Sequence, residues 1–479
     1  MKRNYFSKGA ILITAGMMLS NVTIGQGNSN IKEVLSNYDS IQNFRYYDQR
    51  GVNVFETPKD HVTFQGFKVR FGAGFTQQFQ SLKHENKQAT GYQSTNKLFA
   101  LQPGFMTAQA NLFTDVQLAD GIRLNLTTYL SARHHNEAWV KGGYIQFDKL
   151  PFKGKFWDDL MKITTIKVGH FEVNYGDAHF RRPDGGQTLY TPFMEQNIMD
   201  ASATEIGGEV YLQKNGLIGM IGATNGMIKG HVDSTYPTTA DPNTNRNPSL
   251  ILKGGFDKQL TDDFRLRVTG SFYTNSSSAG SGLTLYSGDR TGSNYQNVME
   301  KVPYGTAVPA YTAMYSSGRF NPGFSKTVNA FMFNVFMKYG GFELFGTLEN
   351  AKGRSKTETT KRAFNQTAIE GVYRFGADEK LFIGAKYNTV KGRLAGAAFT
   401  TDITVNRTAF AAGWFVTRNV LAKMELVNQQ YVDFPTIDHR AGGKFNGLVV
   451  EAVVGFKLKK NRFEKPGFLT WNPAFQINS

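Results

Sequence analysis

The stretch GFKVRFGAGFTQQFQ, Gly66 to Gln80, decides the fold. Phe67, Val69, Phe71, Ala73, Phe75 and Phe79 fall on one side of an extended chain, and Lys68, Arg70, Gly72, Gly74, Thr76, Gln78 and Gln80 on the other. Successive side chains of a strand point to opposite faces, so this run has one apolar and one wet surface. It is also long enough to cross a hydrocarbon layer as a tilted strand.

The pattern recurs downstream. Met106, Ala108, Ala110, Leu112, Val116 and Leu118 oppose Thr107, Gln109, Asn111, Asp115 and Gln117. Asp120-Gly121 reads as a hairpin turn, after which Ile122, Leu124, Leu126 and Leu130 oppose Arg123, Asn125, Thr127, Ser131 and Arg133. Further pairs of runs turn at Asn215-Gly216, Thr261 to Asp263, Gly340-Gly341, Ala377-Asp378 and Arg418-Asn419. With Glu137 to Phe147, Lys162 to Phe171 and the last run, Gly447 to Leu458, the count is about sixteen, an even number as bacterial barrels require. Trp139 to Phe147 alternates poorly, which implies a bulge or a miscount of strands there; Leu150 to Met161 is too long for a tight turn. Otherwise tight turns fall at every second junction, and longer connections fall near 82–97, 174–200, 226–248, 275–327, 351–362, 391–404 and 432–445. Short turns on one side and long loops on the other are the asymmetry of an up-and-down membrane barrel.

Composition agrees. The 479 residues include 50 Gly, 39 Phe and 21 Tyr with no Cys, so no disulfide staples the fold. Mean hydropathy is -0.36, unlike a bundle of membrane helices. Lys2, Arg3 and Lys8 precede an apolar run from Ala10 to Leu19 and a plausible cut before Gln26, so residues 1–25 read as a signal peptide. Residues 26–62 lack a clear period and are expected at the inner end of the barrel; 63–459 form the barrel and 460–479 a tail without a terminal aromatic. The net charge of +16 could serve nucleic acid, but an exported chain rarely meets it; a positive field around a pore would gather anions, and basic loops would sit against lipid headgroups.

One segment breaks the alternation, KVGHFEVNYGDAHFRRPDGGQTLYTPFMEQNIMD, Lys167 to Asp200. A connection so long and aromatic is uncommon unless it has a role, and its position predicts a fold into the barrel mouth. Its candidate constriction charges are Arg181, Arg182, Asp177, Asp184 and Glu195. The wet faces offer a pore lining of Lys68, Arg70, Arg123, Arg133, Lys167, Arg265 and Arg267, with Lys338, Lys386, Arg407, Lys423 and several carboxylates. Cationic rings favour anions, whereas charges paired across strands set no selectivity. No metal site or cofactor is expected: Asp241, Asn243 and Asn245 begin like a calcium loop, but Arg246 stands where its sharp-turn Gly belongs and Leu252 where its Glu belongs. His134 and His135 point opposite ways on an extended chain, and no nucleophile–base pair proposes an enzyme.

The run KVGHFEVNYGDAHFRRPDGG, followed by FMEQNIMD and EIGGEVY, resembles the phosphate-selective porin O/P family, as does the entry TFQGFKVRFGAGF. The resemblance covers most of the chain after Val62. It implies a Gram-negative outer-membrane porin: a sixteen-stranded barrel in homotrimers, the third outside loop narrowing a pore for small hydrophilic solutes, among them anions. Phosphate-selective members repeat arginines and lysines there, whereas this segment mixes Arg181 and Arg182 with Glu172, Asp177, Asp184 and Glu195. The alternative reading is a barrel whose long outside loops bind a surface ligand or partner.

Overall fold

The computed structural model describes residues 41 to 457 apart from 45–46, 52–53, 88–95, 132–136, 183, 231, 233–235, 238, 240–241, 243–244, 279–281, 288–294, 303–315 and 397–398. The expected signal peptide, the C-terminal tail, Arg133, His134, His135, Asp241 and Asn243 lie outside the described residues.

The strands are β1 (Lys68–Glu85), β2 (Gly104–Phe105), β3 (Gln109–Ala119), β4 (Ile122–Ser131), β5 (Glu137–Phe147), β6 (Thr164–Glu172), β7 (Thr204–Lys214), β8 (Leu217–Thr224) and β9 (Ser249–Gln259). They continue with β10 (Phe264–Asn275), β11 (Thr327–Tyr339), β12 (Phe342–Arg354), β13 (Arg362–Phe375), β14 (Leu381–Gly392), β15 (Ile403–Thr417), β16 (Val420–Val432) and β17 (Lys444–Lys457). β2 and β3 both pair antiparallel with β1, each strand from β3 on pairs antiparallel with the next, and β1 closes on β17 from Gly72↔Lys457 to Glu85↔Lys444. The two-residue β2 and β3 lie along the same edge of β1, so the wall has sixteen positions. The connection after β5 carries a short helix, α1 (Lys155–Met161).

Burial follows the alternation, with an inverted sign. On β16 Lys423, Glu425 and Gln429 are buried, while Met424, Leu426 and Val432 are exposed. On β1 Arg70, Thr76 and Gln78 are buried, while Phe71 and Phe75 are exposed. Soluble proteins bury the greasy face and expose the charged one. A hydrocarbon exterior reverses this, and closure leaves no edge whose backbone would meet lipid unpaired. This is a transmembrane β-barrel of the outer-membrane type. Among the described residues no helix is long and apolar enough to cross a membrane.

The tight turns have the backbone their residues favour. Asn215 and Gly216 both have positive φ (53° and 90°), the conformation of a two-residue type I′ hairpin. Two departures from simple alternation have local causes. Phe105 sits opposite Phe79 and Gln109 opposite Thr76, so one strand carries an extra residue between those pairs. That inverts the faces before Gln109: Met106 is buried and Phe105 exposed, not Met106 outward as the pattern predicts. The irregularity predicted in β5 is a bulge, where Thr127 faces Gly142 and Thr128 faces Val140, leaving Lys141 over. β12 runs on to Arg354, so the connection expected from 351 begins after it and Lys352 stands on the outward face.

Candidate functional site

The segment from Val173 to Ala203, between β6 and β7, is bonded to inward-facing side chains all round the wall. Gly176 turns the chain with φ 69°, and a single helical turn, α2 (Ala178–Arg181), follows. The Asn174 amide donates to Glu209 on β7 (2.9 Å), and Lys253 on β9 donates to the Asn174 side chain (2.6 Å) and the Gly176 carbonyl (2.8 Å). Asp177 accepts both forks of Arg267 on β10 (2.8 and 2.7 Å), and its amide donates to Asn334 on β11 (2.9 Å). Farther along, the Thr188 hydroxyl donates to Glu451 on β17 (3.0 Å), and the Met194 amide to Glu425 on β16 (2.8 Å). The Ile198 amide donates to Asn388 on β14 (2.5 Å) and the Met199 amide to Gln366 on β13 (2.9 Å). An irregular backbone away from water needs a partner for each amide, and these wall side chains supply them.

The five expected constriction charges are all buried here, but they pair with the wall and not with one another. Arg181 donates to Glu343 on β12 and to Glu370 on β13 (2.6 Å to the latter). Asp184 is bonded by Lys141, the residue left over at the β5 bulge, and by Asn111 on β3 (2.8 Å). Glu195 lies 4.0 Å from Arg407 on β15. Arg182 donates to the Phe193 carbonyl (3.0 Å) and lies 3.9 Å from Glu451, while its Nε and Nη2 have no hydrogen-bond partner among the described residues. Beside it a cavity of about 20 Å³, room for one water, is bounded by Arg181, Arg182, Phe193, Glu370 and Lys386.

The expected basic lining divides in two. Arg265 makes a two-fork pair with Asp257 (2.8 and 2.7 Å), Arg267 reaches Asp257, Asp177 and Glu56, and Lys167 lies 3.4 Å from Glu209. Arg70 and Arg123 instead flank the Phe44 ring (5.6 and 5.5 Å to its centroid), and Lys68, half-exposed, donates to Gln65 (3.0 Å). These three do not join the cluster around Arg181.

Three participants escaped the sequence reading. Lys253 was legible in principle, because alternation in LILKGGF puts it inward with Ile251. Lys141 depends on the bulge and Glu56 on a segment without period, so neither had a signal. Burial by itself would raise the Glu56 carboxyl, but Arg267 and then Lys253 overcome that and hold it down at about 2. Asp177 is likewise held well below the usual carboxylate range against its burial, by the same two cations. Among the described residues no group of three His, Cys, Asp or Glu could hold a metal ion.

No family model and no curated protein sequence matches the chain. Solved structures do. An anion-selective porin from Comamonas acidovorans is 11% identical with a TM-score of 0.49, covering 82% of this chain and 100% of its own. Outer-membrane-expressed OmpT of Vibrio cholerae is 10% identical with a TM-score of 0.46, covering 82% and 99%. The outer-membrane channel DcaP of Acinetobacter baumannii is 10% identical with a TM-score of 0.44, covering 81% and 97%. The likeness is one of fold, and none of these three is described as a phosphate-selective porin.

Proposed function

We propose that the chain is a porin of a Gram-negative outer membrane, passing small hydrophilic solutes down their gradients with a mild anion preference. Export through residues 1–25, a homotrimeric state and contact with outer-membrane lipids belong to the same reading. The barrel with its polar interior supports passage of solutes. Arg182 carries the anion preference: it is buried in the interior, shares Glu451 (3.9 Å) with the closer Lys423 (2.7 Å), and keeps two donors without a hydrogen bond among the described residues, beside Lys386 and a water-sized cavity. Charges in such a narrow site are screened far less than at a surface, so one guanidinium there outweighs many outside. The other charges of the segment are largely neutralised in pairs, which supports only a mild preference and argues against a phosphate-specific relay.

Folded protein in planar bilayers under a KCl gradient should give discrete current steps that reverse on the anion side. Arg182→Gln should move the reversal potential toward zero, whereas Lys352→Gln on the outward face of β12 should leave it unchanged. Protein that inserts as a folded barrel but gives no steps would favour a barrel whose outside loops bind a partner.

A further inference from the structure

The described part of the chain before β1 lies at the end of the barrel that carries the tight turns. The Gln42 amide donates to Gln117 (2.8 Å), and its side chain to Asp120 (3.0 Å), both at the β3–β4 turn. The Gln49 carbonyl accepts from Arg374 (2.8 Å) and its side chain bonds the Asp378 carbonyl, at the β13–β14 turn. Glu56 then lies 2.7 Å from Arg267 and 3.2 Å from Lys253, with Phe55 packed on Phe336. Lys59 pairs with Asp148 at the end of β5 (2.8 Å).

This sequence of anchors fixes a path. In the closed order β3 and β13 are six strand steps apart by the shorter arc. At 4.7–4.9 Å per step the wall path is at least about 29 Å. The seven residues from Gln42 to Gln49 reach at most about 24 Å, so these anchors lie near the limit of the chain between them, and Tyr47 stacks on Tyr190 of the interior segment (6.1 Å between ring centroids), away from the wall path. From Gln49 the next anchors, Phe55 on β11, Glu56 on β10 and β9, and Lys59 beside the end of β5, follow the order of the wall. We propose that the described residues of this segment, 41–44, 47–51 and 54–62, form a strap across the turn-side mouth, latched by Glu56, and that passage requires its withdrawal. This rests on the channel reading above.

The latch is built to release. Arg267 also holds Asp177 and Asp257, and Lys253 also holds Asp177, Asn174 and Gly176. When Glu56 leaves, both buried cations keep partners, so withdrawal strands no charge in the wall. The carboxylate that departs goes to water, where it is solvated.

The chain has no native Cys, so the strap can be tethered cleanly. Gln42→Cys with Gln117→Cys places two thiols where the native side chains touch (3.3 Å). In the full chain, oxidation of this pair, or its bridging by a short bis-maleimide if the disulfide does not close, should abolish current steps. Reductant should restore those of the disulfide form, and Gln117→Cys alone should respond to neither oxidant nor reductant. Glu56→Arg, which sets like charge against Arg267 and Lys253, should raise the open fraction by at least about tenfold. A tethered protein that conducts like the parent would overturn the strap while leaving the channel standing. Absence of current in every form, Glu56→Arg included, would remove the channel itself and with it anything for the strap to close.

Discussion

Arg181 shows how the structure changes the meaning of a residue the sequence singles out. As one half of an Arg-Arg pair it reads as a selectivity charge, but two carboxylates, Glu343 and Glu370, already claim it. Reversing it would set three acids against one another and disturb the segment itself, so Arg182 is the residue whose replacement reports on ions. His179, between Asp177 and Arg181, carries a different consequence. Burial chiefly, and then Lys253, push its imidazole down to about 3 from an ordinary 6.5, so it is neutral when folded. The unfolded chain takes up a proton at about 6.5 and the folded one does not, so stability is full above that pH and declines as pH falls toward about 3. The slope is at most about 1.4 kcal/mol per pH unit. Urea midpoints of the detergent-solubilised protein between pH 6 and pH 4 should therefore fall with acid, and His179→Gln should flatten that decline. An unchanged slope in the variant would mean that other groups govern the acid response.

At the scale of elements, strands were legible because their period is two and both solvents, lipid and lumen, enforce it. The tight turns at Asn215-Gly216 and Gly340-Gly341 were legible for a local reason too, the cost of positive φ to most side chains. Pairing was not. Arg267 meets Asp177, and Arg181 meets Glu370, across sequence separations of 90 and 189, and only the angular order of strands in a closed wall brings them together. Alternation puts Met106 outward where the structure buries it, because one surplus residue flips a face and nothing in the composition marks where the surplus lies. The β5 bulge was visible as broken alternation, yet its product, an inward Lys141 on Asp184, was not. That contact predicts that Lys141→Met, which keeps the stem and removes the ammonium, costs about 3 kcal/mol by leaving a buried carboxylate short of its cation. Adding Asp184→Asn should recover most of the loss. A double variant no more stable than Lys141→Met would show that the bulge, and not the ion pair, holds the strand.

For the molecule as a whole, the inverted burial predicts a protein that needs detergent, shows a β-dominated circular dichroism spectrum and migrates differently on gels before and after boiling. Protein that stays monomeric in buffer without detergent would contradict the barrel. The closing seam bears on time as well as on shape. β1 meets β17 over fourteen residue pairs drawn from opposite ends of the chain, a closure whose entropy is about 5 kcal/mol and whose contact order makes it slow. The strap, joined directly to β1, docks on Gln117 of β3 and Arg374 of β13, two parts of the wall that face each other only after the seam is made. Its seating therefore comes last in folding: a probe on residues 41–62 would register the moment of closure, and a chain caught with its seam open would still have its N-terminal arm free.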